Sequence, residues 1–260
     1  MNLIAFEEIL LDARSSDAIS GLRKLILTAA LRGDFDNQNE RISQLTDALK
    51  SIKESSLPNQ NNRKRMPKED SETRPSNKDK LRNSSDDEFV IPLGEIATIE
   101  KGKTGIKDAV PGEYPLVVTA EGRLSANYFD FEGPAVIIPL VSSTGHGDAS
   151  LKRIHYQDGK YAVGSILCVV QSRFPDLLHP RYLYEYLSAF KDKLLVSRMS
   201  GTANVSLTVG KVAEVPVPLI TYHSQECLNR MMSLLDALEL KQAAIQALQP
   251  QIADALASAE

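Results

Sequence analysis

The sequence predicts an α+β protein, with one mixed, β-rich domain, a long C-terminal helix of coiled-coil type and a small helical region at the N-terminus. Three observations carry this. Between residues 89 and 222, short β-branched runs at 96–99, 116–119, 135–139 and 166–171 alternate with Gly- and Pro-bearing turns. One helical pattern interrupts them after Pro180, where Tyr182, Leu183, Tyr186, Leu187, Phe190 and Leu194 mark one face. Residues 224–248 then contain neither Gly nor Pro and are rich in Leu, Met, Ala and Gln, all good helix formers.

Within that last stretch and beyond it Met231, Leu238, Ile245 and Ile252 recur every seven residues, and Leu228, Leu235, Gln242, Gln249 and Leu256 form a second row beside them. Together they make an a/d seam for another helix, with the two glutamines fixing register at some cost in stability. Leu228, Met231, Leu235, Leu238, Gln242 and Ile245 are therefore the expected dimerisation residues. Pro250 lacks an N–H and is expected to kink or end the helix, leaving 251–259 as a separate short one. Pro216 and Pro218 exclude a helix or a central strand, so the chain just before the long helix is an extended exit segment.

Residues 1–55 read as helices. Ser16 and Asp17 cap a segment that places Ile19, Leu22, Leu25, Ile26 and Ala29 on one face, and Gly33 ends it. Asn37 with Glu40 resembles a capping box, followed by Ile42, Leu45, Leu49 and Ile52 at helical spacing. Residues 56–88 are a polar linker with almost nothing apolar to support a fold. The expected division is thus 1–55 helical, 56–88 linker, 89–222 β-rich domain and 223–260 helix.

At 260 residues and 42% apolar, the chain can bury a substantial core. A net charge of −4 argues against a simple basic nucleic-acid binder, so any DNA contact must come from a local patch or an assembly. Cys168 and Cys227 have no metal spacing. No apolar segment approaches the ~20 residues that span a bilayer. The acidic start, with Glu7, Glu8 and Asp12, is unlike a signal peptide, and a cytoplasmic location is expected.

Gly102, Lys103 and Thr104 do not form a P-loop: Ala97 stands where the loop needs its first glycine, and Gly105 with Pro111 points to a turn. The segment reads better as a basic finger. Lys101, Lys103 and Lys107 suit phosphates, and Thr104 suits a phosphate or a base edge. Ser142, Ser143, Thr144 and His146 lie in a Gly-broken loop that ends at Asp148. Seven consecutive positions rarely supply the geometry of a Ser/His/Asp triad, so a polar recognition loop is the better reading. Thr202, Asn204 and Ser206 form a third candidate: asparagine pairs bidentately with adenine, although the same residues also close turns. Arg173 suits phosphate or guanine, and equally a surface ion pair. The sequence contains no Asp/Asn-Pro-Pro-Tyr/Phe methyltransferase motif, glycine-rich cofactor fingerprint, Cys/His metal set or Walker pair. Neither chemistry nor a cofactor is expected of this chain.

Gly-Thr-x-Asn-x-Ser-Leu at 201–207, the extended Val-Pro-Val-Pro-Leu at 215–219 and the Gln225-Glu226 opening of the long helix resemble one known family. They look like the end of a target recognition domain and the spacer helix in specificity subunits of type I restriction–modification systems. The family's usual Pro-Pro-Leu followed by Glu-Gln is partly kept. Three other segments are similar to the family's N-terminal helix, the opening of its recognition domain and a later helix. They are Gly-Leu-Arg-Lys-Leu-Ile-Leu-Thr-Ala-Ala-Leu-Arg-Gly at 21–33, Leu-Gly-Glu-Ile-Ala-Thr-Ile-Glu-Lys-Gly-Lys at 93–103 and His-Pro-Arg-Tyr-Leu-Tyr-Glu-Tyr-Leu at 179–187. The resemblance implies a half-length, non-catalytic subunit that reads double-stranded DNA. Its partners would be a DNA methyltransferase subunit, where S-adenosylmethionine binds, and in some systems a restriction/translocase subunit. A homodimer would rebuild the two-domain form and read a bipartite target. Two other classes stay open: an adaptor of the methyltransferase complex that does not read DNA, and a small-molecule hydrolase using the 142–148 loop.

Overall fold

The computed structural model describes residues 16–56, 89–144, 147–202 and 204–257. The expectations for 57–88, for the first fifteen residues and for His146 fall outside these. In chain order the elements are α1 (Ser16–Arg32), α2 (Gln38–Ser56), β1 (Val90–Pro92), α3 (Leu93–Ile96), β2 (Ala97–Lys101), β3 (Tyr114–Val117), β4 (Leu124–Ala126) and β5 (Phe131–Glu132). They continue with β6 (Ala135–Pro139), β7 (His155–Gln157), β8 (Lys160–Val163), β9 (Leu167–Ser172), α4 (Pro180–Ala189), α5 (Lys191–Leu194), α6 (Val209–Ala213), β10 (Pro216–Pro218) and α7 (Tyr222–Ala257).

Two strands organise the domain. β6 and β9 pair antiparallel at the centre of a four-stranded sheet ordered β2-β9-β6-β7. Their uninterrupted apolar sequence follows from burial on both faces. Val136, Ile138, Cys168 and Val170 point toward the helices, whereas Ala135, Ile137, Leu167 and Val169 point into a second core. That second core is shared with Val117, Phe131, Tyr161 and Val163 of a smaller sheet, ordered β4-β3-β8-β5, in which β3 and β8 run parallel. Each fully buried aliphatic side chain contributes about 1.5–3 kcal/mol.

The helical layer covers the other face. Pro180 opens α4 at its first turn, and the His179 ring accepts a hydrogen bond from the Arg181 N–H at 3.1 Å. Tyr182, Leu183, Tyr186 and Leu187 are buried as the spacing predicts, but α4 ends at Ala189, and Leu194 belongs to α5. The hydroxyls of Tyr182 and Tyr186 donate to the carbonyls of Pro218 and Pro216 at 2.6 and 3.0 Å. The proline-bearing exit strand β10 is thus held at its carbonyls by α4. It pairs with β1, Val90 opposite Pro218, so the described domain begins and ends side by side.

The long helix α7 packs on α1 and α4. Leu228, Met231, Met232 and Leu235 are buried there together with Ile19, Leu22, Ile26, Leu27 and Ala30 of α1. At the base of α7, buried Gln225 accepts from the His179 N–H at 2.7 Å and donates to the carbonyls of Leu177 and Ile220. Ion pairs reinforce the junction. Arg23 meets Asp236 and Glu239, and Arg181 meets Glu185 and Asp236. Burial raises the pKa of the Glu185 carboxyl against the opposing pull of Arg181 and Arg23.

Several expectations change. The buried stripe of α1 turns toward Leu27 and Ala30, leaving Leu25 52% exposed, because α4 and α7 approach from that side. Ile42 is exposed on α2, whereas Leu45 and Ile52 are buried. Ile96 ends a short helical turn rather than starting a strand. Helix α7 runs on through Pro250. The missing N–H leaves the carbonyl of Gln246 without its helical donor, in an exposed stretch open to solvent.

Candidate nucleic-acid interface

The strand register gathers three of the predicted segments at one end of the main sheet. Lys101 pairs with Cys168, and Pro139 pairs with Leu167. The basic finger after β2 and the loop after β6 therefore leave from the same edge. Thr104 forms a bridge with Gly164, and the Leu140 N–H donates to the Ile166 carbonyl at 2.9 Å. The 200–206 loop joins them through bridges from Ser206 to Val141 and to Ser200, and the Ser142 N–H donates to the Val205 carbonyl at 3.0 Å. The finger needs a glycine at 102, since a Cβ there would meet the Gly164 carbonyl oxygen at 2.2 Å.

Individual side chains divide into groups with different uses. Lys101, Lys103 and Lys107 are exposed. The Lys103 ammonium lies 4.8 Å from the centre of the Phe131 ring and 3.9 Å from the Glu100 carboxylate. Thr104 is only 1% exposed; its hydroxyl donates to Asp130 at 2.9 Å and accepts from Tyr128 at 3.1 Å. It holds the finger down and cannot reach a phosphate or a base. Ser142 is similarly committed: its hydroxyl donates to the Asp148 carbonyl at 2.6 Å and accepts from the Ser150 N–H at 3.1 Å. Ser143 accepts from the Lys152 N–H at 2.8 Å. These are turn-forming bonds rather than the activation of a nucleophile.

Thr144 is exposed, but its hydroxyl donates to the same Asp148 carbonyl at 3.2 Å; Thr202 and Asn204 are exposed, with Ser206 half-buried behind them. Arg173 stands apart. It follows the far end of β9, where Ser172 pairs with Ala97, roughly 15 Å along the strand from the loop edge. Register, which no local pattern reveals, separates it from the others.

Unforeseen residues complete this end. A cleft of 510 Å³ lies between the 119–121 segment, Val141, Ser142 and Ser143, and is lined also by Lys152, Arg153 and Ile166. The adjacent basic pair Lys152-Arg153 was the signal in the sequence. Arg153 pairs with Glu121 at 2.8 Å.

Of the dimerisation residues, Leu228, Met231 and Leu235 are covered by their own chain, and Leu238 packs partly against the same core. Gln242 is half-buried, while Ile245 is 59% exposed, alongside exposed Leu240 and Leu248. Among the described residues, no cluster of His, Cys, Asp or Glu could hold a metal ion, and no helix is long and apolar enough to cross a membrane.

Residues 86–249 match the family model of the Type I restriction modification DNA specificity domain. The chain belongs to this family. In fold it is similar to the S subunit of a type I restriction-modification system from M. genitalium, at 14% identity and a TM-score of 0.44, over 62% of this chain and 40% of that one. It is similar also to the HsdS subunit from Thermoanaerobacter tengcongensis, at 14% identity and a TM-score of 0.41, over 95% and 51%. A third similar chain comes from a structure on complex assembly and conformational transition of the type I R-M system, at 16% identity and a TM-score of 0.42, over 93% and 53%. The chain thus spans about half the length of these proteins or less. No curated protein matches its sequence.

Proposed function

We propose that this chain is the non-catalytic specificity subunit of a type I restriction–modification complex, reading one half-site of double-stranded DNA. The observation that carries the reading is the convergence of the finger, the 142–148 loop and the 200–206 loop at one edge of a rigid sheet. Lys101, Lys103 and Lys107 hold phosphates and so position the domain. Thr202 and Asn204 present exposed side chains that can meet base edges, whereas the Thr144 hydroxyl is held by the Asp148 carbonyl. A methyltransferase subunit supplies S-adenosylmethionine and the chemistry, and a restriction subunit joins where one exists. Two copies pair through α7 beyond Leu238 and read inverted half-sites.

The test measures affinity of the complex with its methyltransferase subunit for the duplex it methylates and for a scrambled duplex, across a salt series. Lys101→Ala is expected to weaken both alike and lower the salt slope by about one. Asn204→Ala is expected to cost about 1–3 kcal/mol on the target and less on the scrambled duplex. Equal losses on both duplexes for every loop substitution would remove these loops from sequence reading. Binding of S-adenosylmethionine by the isolated chain in calorimetry would refute the non-catalytic role.

A further inference from the structure

A second basic feature runs along the free edge of the main sheet. β7 is an edge strand, and beside it lies a groove of 510 Å³ whose lining includes Arg123, His155, Tyr156, Arg181 and Asp236. This groove adjoins the cleft beneath the reading loops. Glu121 and Arg153 line both, and their ion pair stands between the two.

Arg123 is the unusual member. Its guanidinium donates to Gln157 Oε1 at 3.0 Å, to the Glu121 carbonyl at 3.0 Å and to the Tyr156 carbonyl at 3.2 Å; it also meets His155 Nδ1 at 3.1 Å. All of these are neutral acceptors. Among the described residues no carboxylate lies within 4 Å of it, whereas Arg23, Arg153 and Arg181 each have one. Burial lowers the pKa of the Arg123 guanidinium and, with Arg123 and Arg153 nearby, pushes His155 down to about 4. A neutral imidazole aims the guanidinium without cancelling its charge, as a carboxylate in its place would. A fixed, half-buried cation with its charge unanswered suits a phosphate oxygen. The carboxylates on the helices facing the groove are already engaged: Asp236 by Arg23 and Arg181, and Glu185 by Arg181. Glu121, with its side chain 86% exposed, forms the kind of surface pair that is worth little and exchanges readily.

We propose that the β7 groove seats a DNA backbone phosphate between Arg123 and Arg153, with Glu121 occupying Arg153 until DNA arrives. The proposal rests on the reading that the neighbouring loops meet DNA, and it extends the contact from those loops toward α7.

The experiment uses the full chain in complex with its methyltransferase subunit, on target and scrambled duplexes across a salt series. Arg123→Gln is expected to lower the salt slope by about one on both duplexes, and Arg153→Gln to do the same. Glu121→Gln frees Arg153 and is expected to tighten both several-fold. Thermal melting follows the fold. If Arg123→Gln unfolds, the Arg153 and Glu121 variants decide alone, since their pair lies nearer the surface. Unchanged slopes in the folded arginine variants, or no tightening in Glu121→Gln, overturn the groove as a phosphate seat. Weaker assembly with the methyltransferase subunit at an unchanged slope also overturns it and assigns the arginines to an acidic protein surface. A wild-type complex that prefers no sequence refutes the reading-loop function instead, while its salt slope still reports on the groove.

Discussion

His155 shows how one residue is set by its surroundings. It is 5% exposed on β7, and its neutral form is favoured by burial and by two neighbouring guanidiniums. The unfolded ring titrates near its ordinary value of 6.5, whereas the folded ring stays neutral down to about 4. Between those values the unfolded chain binds a proton that the folded chain refuses. Stability therefore falls as pH drops from 6.5 toward 4, by up to about 3 kcal/mol. His155→Gln is expected to flatten that part of the profile, read as urea midpoints at successive pH values. A variant with the wild-type slope would show that His155 is not the group responsible.

Among the elements, α7 has two halves with different work. Up to Leu235 its apolar side chains are part of the domain core, and from Glu239 to Pro250 almost every described side chain is exposed. A heptad pattern alone does not distinguish a seam facing a partner from one facing the helix's own domain. Leu235→Ala is expected to cost about 2–5 kcal/mol of folding stability at any protein concentration. Ile245→Asp is expected to leave the low-concentration urea midpoint nearly unchanged and to abolish association in sedimentation. Equal stability losses in both variants would mean that the distal half also packs in the monomer.

For the whole molecule, the pairing of β1 with β10 brings the two ends of the β-rich segment side by side, and α1 and α7 share one core with its main sheet. Beyond Leu238, α7 extends for roughly 28 Å at 1.5 Å per residue, comparable to one ~34 Å turn of DNA. In the proposed dimer, two copies joined there would present their loop edges in opposite senses. The methylated target is therefore expected to be an inverted repeat with a fixed gap, checked by mapping methylated positions in DNA treated with the complex. An asymmetric target read by a complex holding only this chain and the methyltransferase would exclude the symmetric dimer.

Much of the fold was legible in the residues. Continuous apolar runs placed β6 and β9, Pro180 opened α4, and the Gly- and Pro-free stretch marked α7, because these follow from local backbone chemistry and periodicity. The three polar loops stood out by composition. The sequence alone did not reveal that β6 and β9 are buried on both faces, or that Arg173 leaves the opposite end of its sheet from the loops. Nor did it show that Thr104, Ser142 and Ser143 secure turns, that Arg123 has no carboxylate partner among the described residues, or that half the heptad seam is spent inside the domain. These depend on register and packing, which bring together residues far apart in the chain. Spacing along the sequence specifies which side chains share a face, and only tertiary contact decides what that face meets.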